Sequence, residues 1–258
     1  FMQDGSVSWL YSAERMTELP LGLIGVAIGT VILPSLSARH AEQDQAKFKS
    51  MIDWAAKIIM LVGIPSSIAL FMLSTPIIQA LFQRGEFTLE DTRMTALALQ
   101  CMSAGVISFM LIKVFAPGFY AQQDTKTPVR VGLMAVAANA ILNVVFIGFF
   151  KLIDWHAEHM ALALASSGSA LVNAGMLYFY LHKRNIYRFG THWKKLALQY
   201  AIANITMIVA LWYGLSWYQG DISQWLRIAE VAGLCVIGVV AYVIGLLITG
   251  FRPRQLKH

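Results

Sequence analysis

The chain is 258 residues long, 57% hydrophobic and only 13% charged, whereas soluble domains carry roughly 25% charged residues. So little polar material excludes a soluble domain of this size. The net charge of +6 would suit a nucleic-acid partner, but where the positive residues sit accounts for it without one. The two cysteines, Cys101 and Cys235, both lie inside apolar runs and offer no disulfide framework.

In chain order, the abrupt start FMQDGSVSW has no basic segment followed by a short apolar core, so no signal peptide is expected. It reads as a cut from a longer protein, and FRPRQLKH reads as a natural end. The next stretch, residues 8–37, has two halves. Residues 21–38 carry no charge, which is about the length a helix needs to cross a bilayer. The preceding half is helical in pattern but holds Glu14, Arg15 and Glu18, with Arg15 and Glu18 three apart on one face. Pro20 between the halves predicts a kink. Such a cluster either faces a protein interior or watery cavity, or sits solvated at the membrane edge.

Six more uncharged runs follow, at 58–83, 94–112, 131–150, 160–181, 196–220 and 231–251. Their lengths predict helices rather than barrel strands, which would alternate polarity over about 10 residues. Pro65 and Pro76 divide the first of these into a kinked helix over 48–73 and a short interfacial helix over 76–82. Alternate loops hold Arg39, Lys47 and Lys49; Lys126 and Arg130; Lys183, Arg184, Arg188, Lys194 and Lys195; then Arg252, Arg254 and Lys257. The opposite loops hold only Arg84, Arg93, Lys151 and Arg227. The positive-inside rule makes the first set cytoplasmic, with the C-terminus inside and the N-terminal edge outside. Trp9, Trp155, Trp193, Trp217 and Trp225 fall near span ends, as interfacial aromatics do.

The sequence contains no phosphate-binding Gly loop, nucleophile elbow or metal-ligand constellation, so no enzyme is expected. All six histidines fall in loops, at span ends or in the tail, and His156 and His159 read as a solvated outer loop. Lys113, about one turn from the inner face if its helix ends near Pro117, either snorkels to head groups or lines the inner mouth of a cavity. Asn139 and Asn143, four apart, form a stripe that joins neighbouring helices or helps hold a cation. Ser166, Ser167, Gly168, Ser169 and Asn173 predict a closely packed fifth span. Glu230 is expected to pair with Arg227.

Three stretches together, GSVSWLYSAERMTELPLGLIGVAIGTVILPSLS, LFQRGEFT and KVFAPGFYAQQDTKTPV, resemble the C-terminal half of the MurJ (MviN) lipid II flippases. These belong to the MATE-like multidrug and oligosaccharidyl-lipid exporter superfamily. The resemblance implies an all-α membrane protein of fourteen helices in two lobes around a central cavity. Residues 1–190 would supply second-lobe helices, family helices 8–12, and 191–258 the final pair, 13–14, forming a lipid-facing groove. The final pair, 194–218 and 224–250, is apolar nearly all round, which suits either a groove or plain packing, and Gly233 and Gly238 are its small positions. The first lobe, a partner to this chain, would be absent. The implied substrate is lipid II, moved between leaflets of the bacterial inner membrane among membrane lipids. No cofactor is implied beyond coupling to membrane potential or an ion gradient. Arg15 falls on a cavity arginine of the family and Glu18 on the acidic residue one turn on, with Glu14 and Lys113 as further substrate contacts. Within the same superfamily, an exporter of drugs or other lipid-linked sugars is the alternative, and a non-transporting scaffold is the other.

Overall fold

A computed structural model describes residues 5–152, 158–220 and 223–252. Trp155, His156, Arg254, Lys257 and His258 lie outside the described residues. Among the described residues, the apolar runs become seven helical spans long enough to cross a membrane. The elements are α1 (Ser6–Pro20), a π-helical turn (Leu21–Val26), α2 (Ala27–Ala41), α3 (Gln45–Met72), α4 (Ser74–Phe82), α5 (Leu89–Ser103), α6 (Val106–Tyr120), α7 (Lys126–Leu152), α8 (Glu158–Lys183), α9 (His192–Leu215) and α10 (Gln224–Ile248). The first span joins α1, the π turn and α2, and the third joins α5 and α6. All but the sixth, which ends at Leu215 short of residue 220, are longer than their uncharged runs, because long basic side chains can stay helical while their heads reach water.

Prolines and small residues decide where these helices bend. Pro20 has no N–H to give the carbonyl one turn back, and the expected kink takes the form of a re-registered π turn. Pro65 likewise leaves the carbonyl of Leu61 without its helical donor. That carbonyl accepts a 2.7 Å hydrogen bond from Tyr242 Oη of α10. The third span, expected to be continuous, breaks at residues 104–105. Ser167 Oγ of α8 donates to the Cys101 carbonyl at 2.8 Å, and Ser67 Oγ of α3 donates to the Ser103 carbonyl at 2.5 Å. Gly105 allows this crossing, since a Cβ there would lie 2.9 Å from Ser167 Cα.

Around the break, α3, α5, α6 and α8 pack together, with α1 and α2 laid along α5, α6 and α3. Their core includes Ile32, Leu36, Ile52, Ile59, Leu99, Met110, Phe115 and Phe119. A smaller apolar cluster, with Leu196, Met207, Leu211, Leu234 and Leu246, joins α9 and α10 and reaches Leu73 after α3. The short helix α4 buries Ser74, Pro76, Ile78 and Ala80 and packs on α5 and α10.

Polar pins hold the ends of the spans. Asp124, ahead of α7, accepts from the N–H and hydroxyl of Thr127 and pairs with Arg184 at 2.5 Å. The Thr127 hydroxyl, with its N–H and the Arg184 guanidinium, holds the Asp124 carboxyl down to about 2. The depressed value means this clamp is whole above about pH 4 and is lost as the pH falls through about 2. Three sequence expectations are corrected here. Trp9 is buried, and its indole donates to Asp91 at 2.7 Å rather than standing in an interfacial belt. His159 is buried against Trp9 with Nε2 3.0 Å from the Met94 carbonyl, not solvated. Arg227 turns to Gln83 at 3.3 Å while Glu230 accepts from the Gln219 N–H, so neighbours from other segments displace the local pair. Trp217 and Trp225 are exposed at span ends, as expected.

If Pro65 is the reason Leu61 needs Tyr242, the two residues must be energetically coupled. Tyr242→Phe should cost about 1–3 kcal/mol of stability. The same change in a Pro65→Ala background should cost clearly less, because the helix then supplies the missing donor. Equal costs in a thermal-unfolding cycle would show that the two features are independent.

Candidate functional site: a charged helix face and an apolar groove

Helix α1 buries Ser6, Trp9, Ala13 and Met16, which recur every three or four residues and lie against α5. The same periodicity puts Tyr11, Glu14, Arg15 and Glu18 on the opposite, exposed face. The Arg15 guanidinium donates from Nη2 to the Tyr11 hydroxyl and lies 4.9 Å from the centre of the Tyr11 ring. Glu18 stands further off, with Nη1 to Oε2 at 4.0 Å. Arg15 and Glu18 side chains are both 57% exposed, so the pair stands open to a ligand. Tyr11 was not anticipated from sequence. The available signal was its place four residues before Arg15, where an aromatic ring can sit beneath the cation.

Only part of the expected set is gathered here. Lys113 is exposed on α6, and a Cβ at Gly29 would lie 3.8 Å from both its Cβ and its carbonyl oxygen. Gly29 is fourteen residues beyond Arg15, about 21 Å along the helix, so Lys113 and Arg15 are not gathered at one point of the α1–α2 span. Helix α6 does not stop near Pro117 but continues to Tyr120, which sets Lys113 two turns from its end rather than one. Pro117 is tolerated because its only backbone loss is the bond to the Lys113 carbonyl. Asn139 Nδ2 donates to Ser169 Oγ at 3.3 Å, and Asn143 Nδ2 to Asn139 Oδ1 at 3.0 Å. Both asparagines lie on α7, which packs along α8, and Asn143 Oδ1 is buried without a partner.

Two further features escaped the sequence. Asp53 on α3 accepts from Tyr187 Oη at 2.9 Å, Trp193 Nε1 at 2.7 Å and Lys57 Nζ at 2.8 Å, with His192 Nε2 at 3.0 Å. Burial and the Asp53 carboxylate push the Tyr187 phenol upward, keeping it a donor. These partners follow Asp53 by more than 130 residues, except Lys57, and no local pattern connects them. The second feature is a cavity of about 430 Å³ between α3, α9 and α10, walled by Leu61, Pro65, Leu211, Val239, Tyr242 and Leu246. Of the two glycines expected to line a groove, Gly238 does, but a Cβ there would meet Leu211 at 3.1 Å, so it also serves helix crossing. Gly233 faces open space.

Residues 1–233 match the model of the family described as Lipid II flippase MurJ. A Vibrio cholerae protein named "Probable lipid II flippase MurJ" is 40% identical over 100% of this chain and 48% of its own length. "Lipid II flippase MurJ" of Burkholderia cenocepacia is 34% identical over 99% of this chain and 49% of its own. A solved structure titled "Lipid II flippase MurJ, inward closed conformation" superposes with a TM-score of 0.74 at 25% identity, covering 94% of this chain and 47% of that one. The chain thus spans about half the length of the curated relatives it matches. With seven membrane-length helices in the fold of that structure and a family model covering most of its residues, this multi-pass membrane chain belongs to the MurJ lipid II flippase family.

Proposed function

We propose that this chain forms one wall of a cavity that carries the head group of lipid II from the cytoplasmic to the periplasmic leaflet. The observation that carries the reading is the exposed Tyr11–Arg15–Glu18 face on a helix running directly into a membrane span. Hydrocarbon cannot solvate such a face, so a polar surface must lie opposite it. The diphosphate of lipid II is such a surface, and an Arg fork suits its oxygens. Tyr11 holds the guanidinium from below while Glu18, at the edge of pairing distance, serves as counter-ion when the cavity is empty. Lys113 of α6, beside Gly29 and about 21 Å further along, would meet the anion at a later point of its path. The opposing wall comes from residues outside this sequence, in keeping with the half-length match to the relatives, and alternate opening of the two walls moves the head group. Asn139 and Asn143 are read as joining α7 to α8 rather than holding a cation. The polyprenyl tail rests in the apolar groove that α9 and α10, as a unit with residues 191–258, form against α3.

The basic loops support an orientation with the α2–α3, α6–α7 and α8–α9 connections in the cytoplasm. In a background without Cys101 and Cys235, a cysteine at Glu86 should react with an impermeant thiol reagent in spheroplasts, while cysteines at Lys47 and Thr125 should not. The reverse pattern would invert the topology.

For the groove, Val239→Trp should impair transport of a long-tailed substrate more than that of a short-tailed analogue, since Val239 lines the cavity and is exposed to its mouth. Equal loss for both would remove the tail from this groove.

Outer-leaflet exposure of lipid II, measured in cells at matched protein levels, tests the charged face. Arg15→Ala should abolish flipping, and Arg15→Lys should retain a fraction because charge survives without the two-pronged geometry. Glu18→Ala should slow turnover without abolishing it. Wild-type flipping by Arg15→Ala would return Arg15 to an interfacial role.

A further inference from the structure

Where α3 begins and the α8–α9 linker crosses it, a cavity of about 380 Å³ is lined by Lys49, Ser50, Asn185, Arg188 and His192, with Asp53 at its base. Asp53 does not make this pocket acidic. Its Oδ1 is taken by Tyr187 and Trp193, and its Oδ2 by Lys57 and His192, so Lys57 cancels its charge and its acceptor positions are filled. Lys49 and Arg188, both exposed, remain as surplus positive charge at the rim.

A second cavity of about 380 Å³ lies further along the same seam, walled by Met60, Ile64, Trp193, Ala197, Tyr200 and Asn204. The two share one line of approach. On α3, Asp53, Lys57, Met60 and Ile64 recur at helical spacing, and on α9 so do Trp193, Ala197, Tyr200 and Asn204. Trp193 is the joint, since its indole is bonded to Asp53 while its ring walls the apolar cavity. From Asp53 to Ile64 the seam descends about 16 Å, a depth suited to much of an acyl chain. It is also separate from the groove assigned to the polyprenyl tail, which uses Leu61, Pro65 and Ala69 on another stripe of α3.

A basic pocket at the end of a membrane span, with an apolar cavity further along the same two helices, is complementary to a molecule with an anionic head and an apolar chain. We infer that this seam is a structural site for an anionic glycerophospholipid, its phosphodiester held between Lys49 and Arg188 and one acyl chain lying between α3 and α9. The bound lipid would fill the seam by which the α9–α10 pair is held to the rest of the bundle. The inference requires only that these helices span a membrane and is independent of the transport reading.

The test uses the full chain purified in detergent, with native mass spectrometry to count bound lipid. Dioleoyl phosphatidylglycerol should be retained at one per chain, roughly tenfold more tightly than dioleoyl phosphatidylcholine. The Lys49→Gln/Arg188→Gln variant should lose this preference while keeping its lipid-free unfolding midpoint, since both side chains are exposed. Ala197→Trp, which fills the apolar cavity from an exposed position, should weaken dioleoyl but not dihexanoyl phosphatidylglycerol. Equal retention of phosphatidylcholine, or unchanged binding in the double variant, would overturn the head-group site. An equal effect of Ala197→Trp on long and short chains would overturn the acyl channel. Inorganic phosphate displacing the lipid at equal concentration would identify a free-anion site and overturn the lipid reading.

Discussion

Hydrocarbon offers no hydrogen bonds, so in a membrane protein each backbone carbonyl that leaves its helix must find another donor. That constraint decides where these helices touch. Pro65 opens the Leu61 carbonyl, and Tyr242 comes from the last helix to close it. The break in the third span opens carbonyls at Cys101 and Ser103, and serines from α8 and α3 close those. The points where α3 meets α10, and where α5 meets α3 and α8, are therefore points of backbone repair as well as apolar packing. A proline or a glycine that would merely weaken a soluble helix here specifies a neighbour.

Charges obey the same rule, and the contrast between two of them separates scaffold from site. Asp53 is almost enclosed, and its oxygens are saturated by groups from α3, the α8–α9 linker and α9. Its chemistry is spent on holding the structure. Arg15 lies on an open face, steadied by Tyr11 and only loosely approached by Glu18. That contrast is what the proposed role of Arg15 rests on, since an open charge can exchange partners and a saturated one cannot.

The spans were legible in sequence because run length and loop charge report directly on the bilayer, and Pro76 correctly marked a separate short helix. The charged face of α1 was legible because Arg15 and Glu18 are local. What was missed depends on distance along the chain or on small side chains. Residues 103–105 look like any other stretch of a small-residue span, and only Ser67 and Ser167 reveal that the helix breaks there. Asp53 looked like one acidic residue near a helix start until the fold brought Tyr187, His192 and Trp193 to it. Trp9 and His159 were misplaced for the same reason, since position near a span end does not tell which face is buried. Lys113 lies two turns rather than one from the end of its helix because a proline inside a helix does not always end it.

The central claim is that the α1 face meets the substrate's diphosphate, and proximity tests it most directly. A photoreactive amino acid replacing Tyr11, beside the Arg15 guanidinium, should capture lipid II in living cells when irradiated. The same residue at Val144, on the exposed face of α7, should capture bulk phospholipid only. Capture of lipid II at position 11 and not at 144 is the predicted result. Equal capture at the two positions, or none at 11 with the protein present at its usual level, would contradict the account.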